Sequence, residues 1–426
     1  MKRVLMIAFH FPPLAGSSGI QRTLSFARHL PRFGWEPLIL TAHKRAFARV
    51  SDDQLGDVPS DVVVERAFAL DSARHLAILG RYPAFAARPD RWITWWLGAV
   101  PKGLAMIRKF RPDAIWSTYP IATAHKIGYT LHRLSGLPWI ADFRDPMTED
   151  GYPADPRIRQ SYKEIEEAVL RSASFGVFVT PGLVRLHHKR YPEIPIARLA
   201  VIENGYDEEI FAPLDGTAAR EGPLVPGAFT LLHSGVVYPN ERDPTQFFQA
   251  LRRMLDEGGL KPGELRVRLR APFHETLLTR LIDTFRVADI VELAAPVTYR
   301  HALQEMMRAD GLLVLQASNC NDQIPAKVYE YLRCRRPIIG LTDPAGDTAG
   351  LLRKSGIHNI ARLDSAEEIA LELRRFLDEV RRGEAGFPTD GFIAEASRLR
   401  RTRELTGLLD QMCPPVPMTG GNSLAD

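Results

Sequence analysis

Residues 312–341 read LLVLQASNCNDQIPAKVYEYLRCRRPIIGL. The opening apolar run, 312–315, has strand length and composition. A polar stretch follows, and then Pro325, which fits the first position of a helix because its missing N–H is one that the first turn leaves unbonded. Residues 326–333 therefore read as a helix, and 337–341 as a second apolar strand. Strand, helix and strand in this order form the unit from which parallel sheets are built.

The same alternation extends in both directions. In the first half, strands are expected at 4–9, 37–41, 62–66, 114–117, 139–143, 175–180 and 200–203, with helices over 20–32, 103–110, 122–135, 158–171 and 181–191. The pattern pauses at 204–228, a stretch rich in Gly, Pro, Asp and Glu that reads as a linker. It resumes with strands at 229–233, 266–269 and 290–293 before the two quoted above, and with helices over 244–256, 275–285, 300–308 and 366–382. A last helix is expected over 392–411. From Pro414 the tail has the composition of a disordered segment. The chain of 426 residues is long enough for two domains of roughly 100–200 residues each. The expected division is 1–205, 206–390, a helical segment 391–413 packing back on the first domain, and a disordered 414–426. Residues 78–96 mix arginine with aromatics. They read either as a loop and short helix over the first sheet, or as a flap facing an acceptor or a membrane.

Composition narrows the function. Hydrophobic residues make up 45% and charged residues 25%, as in an ordinary folded protein. The net charge of +4, from 55 basic and 51 acidic residues, is too balanced to point to nucleic acid. Cys320, Cys334 and Cys413 have neither metal-ligand spacing nor the number of a disulfide framework, so a reducing, cytoplasmic compartment is expected. The basic, apolar N-terminus ends at His10 and Pro12-Pro13 without a small-residue cleavage site and reads as a first strand. No stretch reaches the roughly 20 apolar residues of a membrane span.

In open α/β sheets ligands bind beyond the carboxyl ends of the strands, so residues just after each strand are the candidates. After the first strand, Gly16 and Gly19 open a helix whose free N–H groups could face a phosphate, although a plain strand–helix turn would look the same. After the strand at 139–143, Asp142, Arg144 and Asp145 crowd one spot, as a structural ion pair or as a catalytic cluster. After 229–233 come Gly235 and then Arg242, whose planar fork suits a diphosphate or merely decorates a helix start. In the segment first quoted, Asp322 precedes the helix. Lys327 and Glu330 lie three residues apart on one of its faces, a spacing that also serves a surface salt bridge.

In this order the motifs resemble family 4 glycosyltransferases of the GT-B fold, in the branch that builds bacterial surface polysaccharides and exopolysaccharides. FHFPPLAGSSGIQR, RPDAIWSTYP, LPWIADFRDPM, VIENGYDEEIF, HSGVVYPNERDP, VELAAPVTYRHALQEMMRADGLLVL and IPAKVYEYLRCRRPIIGL carry the resemblance from Met1 to about Gln411. It implies two Rossmann-like domains whose parallel sheets face across a cleft. It also implies a UDP- or GDP-linked sugar donor with no further cofactor or metal, and a glycan or lipid-linked acceptor. Peripheral contact with the inner face of the cytoplasmic membrane would follow from a lipid-linked acceptor. Glu330 matches the family's ribose-binding glutamate, and the sugar-contacting acid eight positions earlier is here the shorter Asp322. Lys327 resembles the lysine of a PxK variant that contacts phosphate. Val236 stands where an arginine often follows the glycine of Gly235. Gly16 and Gly19 match the glycine-rich loop near the diphosphate. Arg144, Arg242 and Lys327 are the expected leaving-group stabilisers, and Asp142 or Asp145 would be the base if the reaction inverts. Family members are generally retaining, in which case the departing phosphate takes the proton. A sugar-nucleotide epimerase of the same architecture lacks an obvious acid–base pair here, and a nicotinamide oxidoreductase lacks its GxGxxG. A non-catalytic scaffold of the same fold would bind no nucleotide.

Overall fold

The structure, a computed structural model, describes every residue except Ser17, Ser18, Gly80, Pro83, Asp150, Pro262 and 415–426, together with all side chains but those of 84, 85 and 217–220. The expected disordered tail thus lies almost wholly outside the described residues.

Contacts divide the chain into two compact units. The first comprises Met1–Phe178, Arg190–Ile202 and the chain from Thr402, and the second comprises Val179–Lys189 and Glu203–Arg401. The first unit is built on strands β1 (Lys2–Ile7), β2 (Trp35–Ala42), β3 (Val63–Ala67), β4 (Ala114–Thr118), β5 (Trp139–Arg144), β6 (Phe175–Phe178) and β7 (Leu199–Val201), in the spatial order β3-β2-β1-β4-β5-β6-β7. The second holds β8 (Phe229–Ser234), β9 (Leu265–Arg270), β10 (Val291–Ala294), β11 (Gly311–Leu315), β12 (Ile338–Leu341) and β13 (Ile360–Ala361), ordered β10-β9-β8-β11-β12-β13. Every pairing is parallel.

Parallel sheets carry helices on both faces, so their central strands are apolar without alternation. β11 shows the result. Leu313 and Leu315 enter one core with Leu231, Val267 and Ile339, while Leu312 and Val314 enter the other with Leu232 and Ile338. In the first unit, Val4, Met6, Trp116 and Ile140 share a core with Leu405 and Leu409 of the terminal helix. The strand order reverses between β1 and β4, and again between β8 and β11. Such a reversal leaves a crevice beyond the carboxyl ends of the strands.

The elements differ from the sequence reading at several places, the unforeseen helix Asp347–Lys354 among them. The expected linker contains a helix, Glu208–Glu221. The Asp207 side chain accepts from Glu209 N at its start, Glu208 and Glu209 suit the positive end of the dipole, and Ile210, Phe211 and Leu214 are buried in the second core. The helix expected at 103–110 runs over Thr94–Phe110 with Pro101 inside it, because Trp95, Ala99, Gly103 and Met106 form one buried stripe. The final helix is two, Asp390–Glu395 and Arg398–Met412. β13, only two residues long, completes the second sheet. No helix among the described residues is long and apolar enough to cross a membrane.

Candidate functional site

In the second unit the candidate site sits where β8 and β11 end. β8 hands over to a loop at Gly235, whose φ of +117° lies in the region that favours glycine. Gly235 N donates to Arg270 O at 2.8 Å and Val237 N to Pro272 O at 2.9 Å, which pins the loop to the end of β9. The helix after β11 spans Lys327–Cys334, so Pro325 falls just before the cap at Ala326 and not at the first helical position. Two contacts fasten this helix to β8. Lys327 Nζ lies 3.0 Å from His233 Nε2, and the Tyr331 hydroxyl accepts from Ser234 N at 2.9 Å. A Cβ on residue 235 would sit 3.0 Å from Lys327 Nζ, so the lysine lies directly against the bare glycine.

One turn on, the buried Glu330 accepts a 2.7 Å hydrogen bond from the Tyr299 hydroxyl. Burial raises the Glu330 pKa, opposed by that hydrogen bond and by the charges of Arg398 and Lys327. Burial, then the neighbouring Arg242, holds Lys327 well below an ordinary lysine. Arg242 is partly buried. It donates to Val236 O at 2.6 Å and lies 5.2 Å from the Tyr238 ring centre. Arg242, Lys327 and Arg398 thus surround Glu330 with basic groups, an arrangement that suits an anionic ligand. The structure therefore gathers Gly235, Arg242, Lys327 and Glu330 at one sheet edge.

Asp322 keeps different company. Its main-chain carbonyl accepts from Thr180 Oγ1 at 2.5 Å, and its carboxylate lies 3.7 Å from Arg185. Arg185 pairs more closely with Asp347, at 2.9 Å, and Asp347 also accepts from Gly182 N at 2.6 Å. A 520 Å³ cavity on the same carboxyl edge is lined by Asp243, Gln316, Asp343, Arg362 and Asp364 among others, but by none of Gly235, Lys327 or Glu330.

In the first unit the Asp142–Asp145 cluster resolves into separate roles. Asp142 is fully buried and holds Arg22 bidentately, with Nε at 2.9 Å from Oδ2 and Nη2 at 2.8 Å from Oδ1. Thr118 Oγ1 adds a third donor to it at 2.9 Å. Both Asp142 oxygens are thus engaged, which favours the structural ion pair over a base at this position. Arg22 itself is 2% exposed, so its charge is not part of the surface. The partner of Asp142 is Arg22 and not the adjacent Arg144.

Arg144 follows at a register shift between β5 and β6, with φ +59° and its guanidinium buried. Asp145, one residue on, is exposed. A Cβ on Gly19 would come within 2.6 Å of Arg144 Nη1 and 2.4 Å of His10 Nδ1. The start of the helix Gly19–His29 therefore meets Arg144 and His10, joining a helix N-terminus to a guanidinium. Burial, then the charge of Arg144, lowers the His10 pKa to about 3. Gly16, exposed with φ +78°, has open space where its Cβ would be.

The sequence reading gave no role to His10, His233, Tyr299 or Tyr331. His233 was open to detection, since it ends a strand directly before Gly235.

Comparison with known proteins agrees with this architecture. Residues 18–205, a little under half of the chain, match the family model described as a glycosyl transferase 4-like domain. Among curated proteins, no sequence matches. Anabaena HepE, solved with UDP and glucose, is similar at 13% identity and TM-score 0.67, over 96% of this chain and 100% of that one. The α,α-trehalose 6-phosphate synthase of Burkholderia multivorans is similar at 13% identity and TM-score 0.63, over 96% and 97%. The lipopolysaccharide outer core galactosyltransferase WaaB is similar at 11% identity and TM-score 0.58, over 96% and 99%. Two Rossmann-like units in one chain, shared along the whole length of these structures, define the GT-B fold.

Proposed function

We propose that the protein is a glycosyltransferase that moves a sugar from a nucleotide-sugar donor to a glycan or lipid-linked acceptor in bacterial polysaccharide assembly. The observation that carries this reading is the juxtaposition of Gly235, Lys327, Arg242 and Glu330 at the reversal point of the second sheet. Glu330 offers the carboxylate for a ribose cis-diol, with Tyr299 fixing one of its oxygens. Lys327, Arg242 and the bare backbone at Gly235 receive the diphosphate. Asp322 is the acid for the donor sugar's hydroxyls. The structures of HepE with UDP and with UDP-glucose favour a uridine nucleotide as the first donor to try.

Transfer needs the departing diphosphate stabilised as its charge develops. Lys327 and Arg242 supply that charge as side chains, so no metal is required, and Arg144 beside the helix N-terminus at Gly19 is the matching cation of the first unit. In the retaining reaction the leaving phosphate takes the acceptor's proton. In an inverting reaction Asp145, the exposed member of its cluster, is the base. One structural relative, WaaB, is a lipopolysaccharide outer core galactosyltransferase, which favours a surface glycan as acceptor. The exposed side chains of Phe68, Ile78, Leu79 and Leu97 are compatible with a lipid-linked acceptor.

The test is calorimetric titration with UDP and GDP. A nucleotide present at about 100 times its Kd raises stability by roughly 2.7 kcal/mol, which thermal shift also detects. Wild type binds one of them. Glu330→Ala and Lys327→Ala weaken that binding about 10-fold or more while melting as folded proteins. Failure of wild type to bind either nucleotide, or unchanged binding by both variants, refutes the donor site.

A further inference from the structure

We infer that His233 is a positioning residue that aims the Lys327 ammonium at the donor's phosphates. The inference rests on the donor-site reading above.

His233 is the penultimate residue of β8 and is 1% exposed. Its Nδ1 lies 2.9 Å from Leu313 O on the adjacent β11. A carbonyl only accepts, so Nδ1 carries the hydrogen. A neutral imidazole has a single N–H, which leaves a lone pair on Nε2. That nitrogen is 3.0 Å from Lys327 Nζ, a group that as ammonium only donates. The Val236 carbonyl, which accepts from Arg242 Nη1, also lies beside the ring and has a second lone pair, but with Nδ1 already carrying a hydrogen it could take one from Nε2 only if the ring were charged. Burial, then the charges of Lys327 and Arg242, keeps the ring neutral well below the ordinary histidine range, as an acceptor must be.

The sheet backbone thus sets the tautomer, and the tautomer sets the lysine. One ammonium N–H is spent on Nε2. Gly235 presents no Cβ to the nitrogen, at a spot where one would stand 3.0 Å away. The two remaining N–H groups are free of that tether for oxygens brought in by the ligand. A long, flexible side chain held at its tip loses less entropy on binding than one that wanders.

The experiment separates the phosphates from the nucleoside. Binding of UDP and GDP is measured by calorimetry, and binding of the matching nucleoside by NMR titration, for wild type, His233→Asn, His233→Gln and Lys327→Ala. Asn can keep an N–H for Leu313 O but offers nothing at the Nε2 position, whereas Gln reaches that position with an acceptor. The expected result is that His233→Asn binds the nucleotide about 10-fold more weakly and the nucleoside unchanged. His233→Gln recovers most of the loss, and adding His233→Asn to Lys327→Ala costs nothing further. Parallel loss of nucleotide and nucleoside would show a merely structural histidine and overturn the inference. So would an undiminished effect in the Lys327→Ala background. If His233→Asn does not fold, His233→Met, apolar and of similar volume, is read by the same split. The two readings fail differently. Normal nucleotide binding by Lys327→Ala removes the lysine from the donor site and this inference with it. Weak binding by Lys327→Ala beside wild-type behaviour of His233→Asn removes only the inference.

Discussion

Asp142→Asn takes one charge out of a pair that is sealed from water on both sides, with Arg22 at 2% and Asp142 at 0% side-chain exposure. Removing one member of such a pair costs about 3–5 kcal/mol, mostly because the other charge stays buried without its counterion. Arg22 is not left bare, since Nη2 also donates to Ile202 O at 2.9 Å and the guanidinium lies 5.1 Å from the Phe26 ring centre. The asparagine oxygen can also take one of the two lost bonds. The lower end, about 3 kcal/mol, is therefore expected. For a unit of this size each kcal/mol moves the midpoint by about 2–4 °C, so calorimetry should show the first transition falling by roughly 6–12 °C. Asp145→Asn, three residues on and exposed, should cost less than Asp142→Asn, although its charge supports the buried Arg144. Replacing the pair together, Arg22→Met with Asp142→Leu, should recover much of the loss, because no orphan charge remains. If Asp142→Asn melts with wild type yet abolishes sugar transfer, Asp142 is a catalytic base and the structural assignment made here is wrong.

His125 is buried, with Nδ1 2.8 Å from Ser117 Oγ, and burial lowers its pKa from 6.5 to about 4. Between those values the unfolded chain holds a proton that the folded chain refuses. Stability is therefore intact above pH 6.5 and declines toward pH 4, by up to about 3 kcal/mol. His125→Gln should lessen the fall of Tm over that window without abolishing it, since His10 and His233 are lowered as well, and an identical slope in both proteins would show that His125 carries none of it. Gly19→Ala forces a methyl against His10 and Arg144 and should cost about 1–3 kcal/mol, read as a lower urea midpoint at unchanged slope. EDTA should leave nucleotide binding and transfer unchanged, and loss restored by Mg²⁺ or Mn²⁺ would overturn the charge assignment to Lys327 and Arg242.

Most strands were legible because both faces of these sheets are covered, so runs such as 312–315 advertise themselves as uninterrupted apolar residues. β13 was invisible because two residues carry no period. The helix at Glu208–Glu221 was taken for linker because its Pro213, Gly216 and acids mimic one. Its cap at Asp207 and the buried Ile210 and Phe211 were the signals to weigh instead. At the site, residue types were readable and partners were not. Nothing local links Asp142 to a residue 120 positions earlier, or His233 to one 94 positions later. The second pairing follows once β8 is taken to lie beside β11, since His233 closes one strand and Lys327 opens the helix after the other.

The terminal helix Arg398–Met412 has a consequence for biogenesis. Leu405 and Leu409 fill the same core as Val4 and Trp116, so the seven-stranded unit lacks part of its interior until the chain has been made through Leu409. Domains usually mature in order as the ribosome releases them. Here the first-synthesised strands must wait, apolar seam open, while the second sheet emerges. A fragment ending at Ile202 should therefore bind chaperones and aggregate, and supplying residues 398–414 as a separate peptide should rescue its solubility.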